Sequence, residues 1–272
     1  ETREAYRGKW QQILGEEGYG AIFSRAGMYQ TWDDHEIVNS SELPTISPER
    51  LEAGVRAFYE SLPAREGEDG RLWTSYRWGQ TAEIFVLDCR LERRPETRAT
   101  SEATYIGRAQ MDWLKGALAD SPCHFKIVLN SVPITEMSQH WPAAEDRWQG
   151  YPAQRDELLD FLDSAELDNV WFISGDLHLG SVNRVDVPGR RRNRWEVLVG
   201  PGGTISNPLA LAAETVDTER DKYFPQDQFI YFNYRWSSTT LTFDPDRDAV
   251  RVVFTQAEDG AVTFDRWLSQ TD

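Results

Sequence analysis

Long apolar runs, cysteine and net positive charge are what this 272-residue chain has least of. Its longest apolar stretches, such as 127–129 and 170–173, fall far short of the roughly 20 apolar residues that cross a bilayer as a helix. No basic amphipathic helix marks it for a membrane surface either. The formal net charge is −16, and a general nucleic-acid surface would have to be basic to displace counterions. An acidic surface suits solubility and hard cations but does not draw phosphate substrates from a distance. A phosphate ester would need a local positive centre, and bound metal ions would supply one. There are two cysteines, Cys89 and Cys123, each in or beside an expected strand. A disulfide and a pair of buried free thiols both remain open. The chain begins without Met or a signal peptide and runs straight into a helix-like stretch, so it reads as a mature or trimmed product.

Aromatic residues, by contrast, are plentiful: 11 Trp, 12 Phe and 10 Tyr, enough to bury and to exclude disorder. The length allows one large α/β domain or two small ones. Helical spacing predicts helices over 2–14, from Pro48 to about Leu62, over 107–119 and over 153–165. Ser47 is placed to cap the second and Pro48 to open it. A glycine-containing break is expected at 15–20, and Pro44 and Pro48 mark a loop. Strands are expected over 72–76 and 82–87, a hairpin turning at Trp78-Gly79, and over 125–129, 169–174, 181–187 and 195–199. The tail adds strands over 229–233, 238–243 and 250–255, with a turn at Asp244-Pro245-Asp246. Residues 134–152 form a long loop rich in Trp and Pro, a length often tied to function. Arg190-Arg191-Arg192 reads as a solvated basic turn. Helices alternate with strands early and strands dominate late, as in a layered α/β domain.

Two clusters carry chemistry. The first is Trp32-Asp33-Asp34-His35-Glu36, with Asn39 close behind. The second is Gly175-Asp176-Leu177-His178, directly after an apolar strand, where ligands of open α/β sheets sit. Asp offers a hard charged oxygen and His a neutral nitrogen, a mixture suited to Fe, Mn or Zn. On an extended segment Asp176 and His178 would point the same way and face one metal pair. His35 beside Asp34 puts a proton donor next to a ligand. Either cluster alone is more simply read as a loop, a cap or a solvated turn; the two together, each after an apolar stretch, bring a metal site level with that reading.

The first cluster resembles the Trp-Asp-Asp-His-Glu motif of the PhoD-like alkaline phosphatases, within the calcineurin-like metallophosphoesterases. The second is similar to that family's closing Gly-Asp-x-His. Residues 84–90 (IFVLDCR), 110–114 (QMDWL) and 148–159 (WQGYPAQRDELL) resemble three further family blocks, in the family's order. The resemblance implies a four-layer α/β/β/α sandwich and Asp34, Asp176 and His178 as metal ligands, with His35 protonating the leaving group. It implies hydrolysis of phosphate mono- or diesters by a metal-bound hydroxide at a two-metal site. Fe and Ca are the ions implied, or other divalent ions such as Mn, Zn or Mg. It also implies export to the periplasm, cell surface or medium. The superfamily's first two metal motifs have no counterpart in residues 1–272, and Ser131-Val132-Pro133 stands where a His-x-Pro would be. The chain is therefore expected to be the C-terminal, larger part of one such domain, with N-terminal strands missing. By itself it would be inactive, or a binding scaffold. Asn39 suits a ligand, a group behind the ligands, or a cap. Arg90 suits a phosphate clamp or a partner for Asp88 or another carboxylate. His140 suits the pocket wall or an exposed loop.

Overall fold

The computed structural model describes residues 2–39, 46–67, 70–187, 189–191 and 194–272. Pro44 of the expected loop and Arg192 of the basic turn lie outside them.

Three helices open the chain: α1 (Arg3–Leu14), α2 (Glu17–Phe23) and α3 (Pro48–Ser61). Thr2 caps α1 through its side chain, and Ser47 caps α3 by accepting the Arg50 N–H at 3.3 Å, with Pro48 in the first turn, where its missing N–H costs nothing. The expected break at 15–20 is shorter than the sequence suggested. Gly15 ends α1, and α2 then runs through Gly18 and Gly20. α1 and α3 close over Trp32, Phe58, Leu62 and Leu72.

The main sheet has seven strands in the order β1-β2-β3-β4-β6-β5-β7. They are β1 (Thr74–Trp78), β2 (Ala82–Val86), β3 (Phe125–Leu129), β4 (Val170–Ser174), β5 (Gly180–Arg184), β6 (Trp195–Leu198) and β7 (Phe229–Asn233). β1 and β2 form the expected hairpin, with Gly79 at φ +55° in its turn. β2, β3, β4 and β6 run parallel. Parallel strands are buried on both faces and read as continuous apolar runs, which is why β3 and β4 were legible. Helices α4 (Arg108–Asp120) and α5 (Pro152–Ser164) cover one face through Met111, Leu114, Leu118, Leu158, Leu159 and Leu162. The other face meets a three-stranded antiparallel sheet of β8 (Ser237–Asp244), β9 (Ala249–Gln256) and β10 (Val262–Leu268). Phe125, Trp171 and Val197 pack there against Val252, Phe254 and Phe264. Each such burial contributes roughly 1.5–3 kcal/mol. Thr240, Thr242, Arg251 and Asp265 face solvent on the far side of the small sheet.

The mixed α/β class is the expected one. Strand β10 and helices α6 (Pro208–Thr215) and α7 (Asp217–Tyr223) were not expected. The signal for α6 was present: Asn207 accepts the N–H groups of Leu209 and Ala210, and Pro208 follows it. Both cysteines are buried free thiols.

Because β2, β3 and β4 are parallel and in register, their carboxyl ends lie along one edge. The edge carries Asp88-Cys89-Arg90, Asn130-Ser131 and Gly175-Asp176 in turn.

Candidate active site

The first motif is anchored on the end of β2. Trp32 is wholly buried beside Phe58, ring centroids 5.4 Å apart, and its Nε1–H donates to Asp88 Oδ1 at 2.9 Å. The Thr31 hydroxyl donates to the Leu87 carbonyl at 2.6 Å. The chain then folds into a tight turn. The Ile37 and Val38 N–H groups donate to the Asp34 carbonyl, and the Glu36 carboxylate accepts the Asp33 N–H at 2.7 Å. The turn sorts its side chains: Asp34 is buried, Asp33 half-buried and His35 exposed. His35 and Asn39, itself exposed, line a cleft of 920 Å³ together with Tyr6, Trp10, Tyr29 and Arg50.

Arg90 is the centre of the site. Asp88 Oδ1 shapes its turn by accepting the N–H groups of Arg90 and Leu91 at 3.0 and 2.9 Å. Burial nevertheless pushes the Asp88 carboxyl above the usual range. The Arg90 guanidinium, almost wholly buried, reaches three carboxylates: Asp33 Oδ1 at 2.6 Å, both oxygens of Asp146 at 3.0 and 3.1 Å, and Asp176 Oδ1 at 3.0 Å. Arg93 also pairs with Asp146 and donates to the Cys89 carbonyl and the Tyr105 hydroxyl. In its side chain Arg90 thus pairs with carboxylates other than Asp88, while its backbone N–H takes Asp88.

The second motif departs from its expected geometry. Asp176 and His178 sit at φ +66° and +52°, and the Leu177 N–H donates to the Gly175 carbonyl at 2.8 Å. The segment is a left-handed turn, not an extended strand, so the alternation that would aim both side chains at one point is absent. Asp176 turns in to Arg90, while His178 is exposed. Asn207 secures the turn, its Nδ2 donating to the Leu177 carbonyl at 2.8 Å and its backbone N–H to that of His178 at 3.0 Å. His140 is exposed on the Trp-rich loop, next to buried Trp141.

The carboxylates differ electrically. Burial and the neighbouring Asp33 push Asp176 up to about 7 against the pull of Arg90. Burial also raises Asp33, with Arg90 opposing. For Asp146 burial is outweighed by Arg90 and Arg93, which hold it below the usual range.

The oxygen and nitrogen donors of Asp34, Asp176 and His178 are chemically suited to a hard or borderline metal ion. Their number and placement are not sufficient: among the described residues no group of three or more His, Cys, Asp or Glu side chains is gathered closely enough to hold one. These residues alone do not complete a metal centre. Asp33 and Asp146 were not singled out as contributors from sequence. The loop length pointed to 134–152, but nothing in the sequence marked Asp146 within it.

A family model for the PhoD-like phosphatases matches residues 1–252. The chain belongs to that family. Alkaline phosphatase D of Bacillus subtilis (strain 168) is 26% identical over 214 residues, which is 68% of this chain and 37% of the relative. A solved structure described as that of PhoD superposes with a TM-score of 0.81 at 23% identity, covering 99% of this chain and 58% of the solved one. That likeness shows a shared PhoD fold. The chain spans less than two thirds of either relative.

Proposed function

We propose that residues 1–272 are the C-terminal, larger part of a single PhoD-like domain that hydrolyses phosphate mono- or diesters. One observation carries the reading. The Arg90 guanidinium binds Asp33 of the first motif and Asp176 of the second at the carboxyl ends of parallel strands, where ligands of such sheets sit. In this reading Arg90 holds the acidic residues in place, and His35, on the open side of the turn, donates a proton to the departing oxygen. Asp34, Asp176 and His178 are this chain's donors to the implied two-metal centre, with iron, calcium or other divalent ions; the remaining donors would come from outside these residues. Such ions would supply the positive centre that an acidic protein needs to hold a phosphate ester. Asn39, on the cleft wall near His35, would orient groups there, and His140 stays on the surface. Export is proposed from the family resemblance.

The incomplete donor set favours a second reading, a PhoD-like fold used for binding. Metal analysis of the full chain, with hydrolysis of p-nitrophenyl phosphate and its bis ester, separates the two. Bound metal and turnover of either ester support the enzyme. Neither metal nor turnover leaves the binding fold.

A further inference from the structure

Three buried arginines stand at this site, and they are not used alike. Arg90 and Arg93 pair with Asp33, Asp146 and Asp176. Arg147 directly follows Asp146 and is as buried as Arg90, each 2% exposed. Yet among the described residues no carboxylate lies within 4.0 Å of its guanidinium. Its Nη1 donates to the Pro142 carbonyl at 2.8 Å, its Nη2 reaches Gln149 Oε1 at 3.5 Å, and its Nε–H has no partner among the described residues. A buried guanidinium without a counter-ion is costly, and its unmade hydrogen bonds add to the cost. Burial lowers the Arg147 pKa, and the first group opposing that fall is the Asp176 carboxylate. Asp146, the residue before Arg147, shares the Arg90 guanidinium with Asp176, so Arg147 stands close to the second motif without pairing to it.

The loop that carries Arg147 is rigidly held. Trp148 is wholly buried, the Tyr105 hydroxyl donates to the Asp146 carbonyl at 3.1 Å, and Gln149 Nε2 donates to the Met137 carbonyl at 2.9 Å. Trp141 Nε1 donates to the Tyr223 carbonyl at 2.9 Å. A guanidinium presented on so fixed a loop is organised in advance for an oxyanion.

We propose that Arg147 binds the phosphoryl group of the substrate, its unspent donors forking onto phosphoryl oxygens beside Asp176. The proposal rests on the phosphoesterase reading above. It places a permanent positive charge in the site of a chain whose net charge is −16. Arg90 does not fill this role, because its donors are committed to carboxylates.

The test uses the full chain, with inorganic phosphate as the probe in calorimetry and p-nitrophenyl phosphate in steady-state kinetics. Arg147→Gln, which keeps a donor for Pro142, should weaken phosphate binding by about 10- to 150-fold, the span of one charged hydrogen bond. KM should rise with it. Arg147→Lys keeps the charge but not the fork and should weaken phosphate by a smaller, measurable factor. Thermal midpoints are read alongside. Wild-type affinity for phosphate in the folded variants would overturn the proposal and leave Arg147 as a clamp on Pro142. Should Arg147→Gln not fold, wild-type affinity in Arg147→Lys has the same force. Turnover by the parent protein with unchanged phosphate affinity in both variants removes only Arg147's role. A parent that neither binds phosphate nor turns over removes the phosphoesterase reading too.

Discussion

Trp32 and Asp88 are 56 residues apart in sequence and joined by a 2.9 Å hydrogen bond inside the protein. The bond fixes the first acidic motif to the end of β2. Trp32→Phe keeps the ring packing but removes a donor from a buried carboxyl. It should destabilise the fold by about 1–3 kcal/mol, read as a lower urea midpoint with an unchanged slope. An unchanged midpoint would mean that the packing of Trp32, not its N–H, holds the motif.

His35 is exposed, so removing its ring should leave the fold intact. If it protonates the leaving oxygen, His35→Ala lowers kcat by about 100- to 10,000-fold. The loss should shrink for an ester whose leaving group departs without a proton. Equal activity of variant and parent on a poor leaving group would remove His35 from the chemistry.

Arg90→Gln strips three carboxylates of a shared counter-ion. Breaking buried pairs of this kind costs about 3–5 kcal/mol. The urea midpoint should fall accordingly, and phosphate esterase activity with it. Loss of activity at an unchanged midpoint would instead make Arg90 a substrate contact.

Away from the site, Arg155 and Arg191 bond to the Asp186 carboxylate at 2.7 and 3.0 Å. Burial alone would raise this carboxyl, but the two guanidiniums outweigh it and hold it below the usual range. A carboxyl depressed by folding stabilises the protein above its unfolded pKa of about 3.9, and that stability is lost as the pH falls through the lower folded value. Asp186→Asn should therefore be less stable than the parent at pH 7, by about 3–5 kcal/mol. The gap should close as the pH drops below about 4. A gap of constant size across that range would show that packing, not charge, is responsible.

At Gly180, the first residue of β5, a Cβ would lie 2.5 Å from Phe254 Cε1 and 2.8 Å from the Gly200 carbonyl oxygen. Gly180→Ala should cost about 1–3 kcal/mol by overpacking, seen as a lower thermal midpoint. No change would mean that β9 yields easily at this point.

Legibility in the sequence followed how local each feature is. β3 and β4 are buried apolar runs, and α3 to α5 carry one-sided stripes and, for α3, a cap, so these elements were readable from their own residues. Helix α2 was not, because its glycines read as a break. The two motifs were visible as clusters of Asp and His, but not the way the second turns. Positive φ at Asp176 and His178 belongs to the turn between β4 and β5, and no composition announces it. The roles of Asp33 and Asp146 depend on Arg90, 57 and 56 residues away. Arg147 stands out only once its neighbours are known, since what distinguishes it is a carboxylate it lacks.

The segments that converge on Arg90 bring Asp33 from 57 residues before it and Asp176 from 86 residues after it. A chain emerging from the ribosome holds the first motif long before anything can neutralise or aim it. Until Asp88 and Arg90 have been made the acidic motif is only a charged loop, and Asp176 joins it only after β4. The cluster of Asp33, Arg90 and Asp176 therefore exists only in the completed sheet, and a chain that stops before β4 holds no more than part of it.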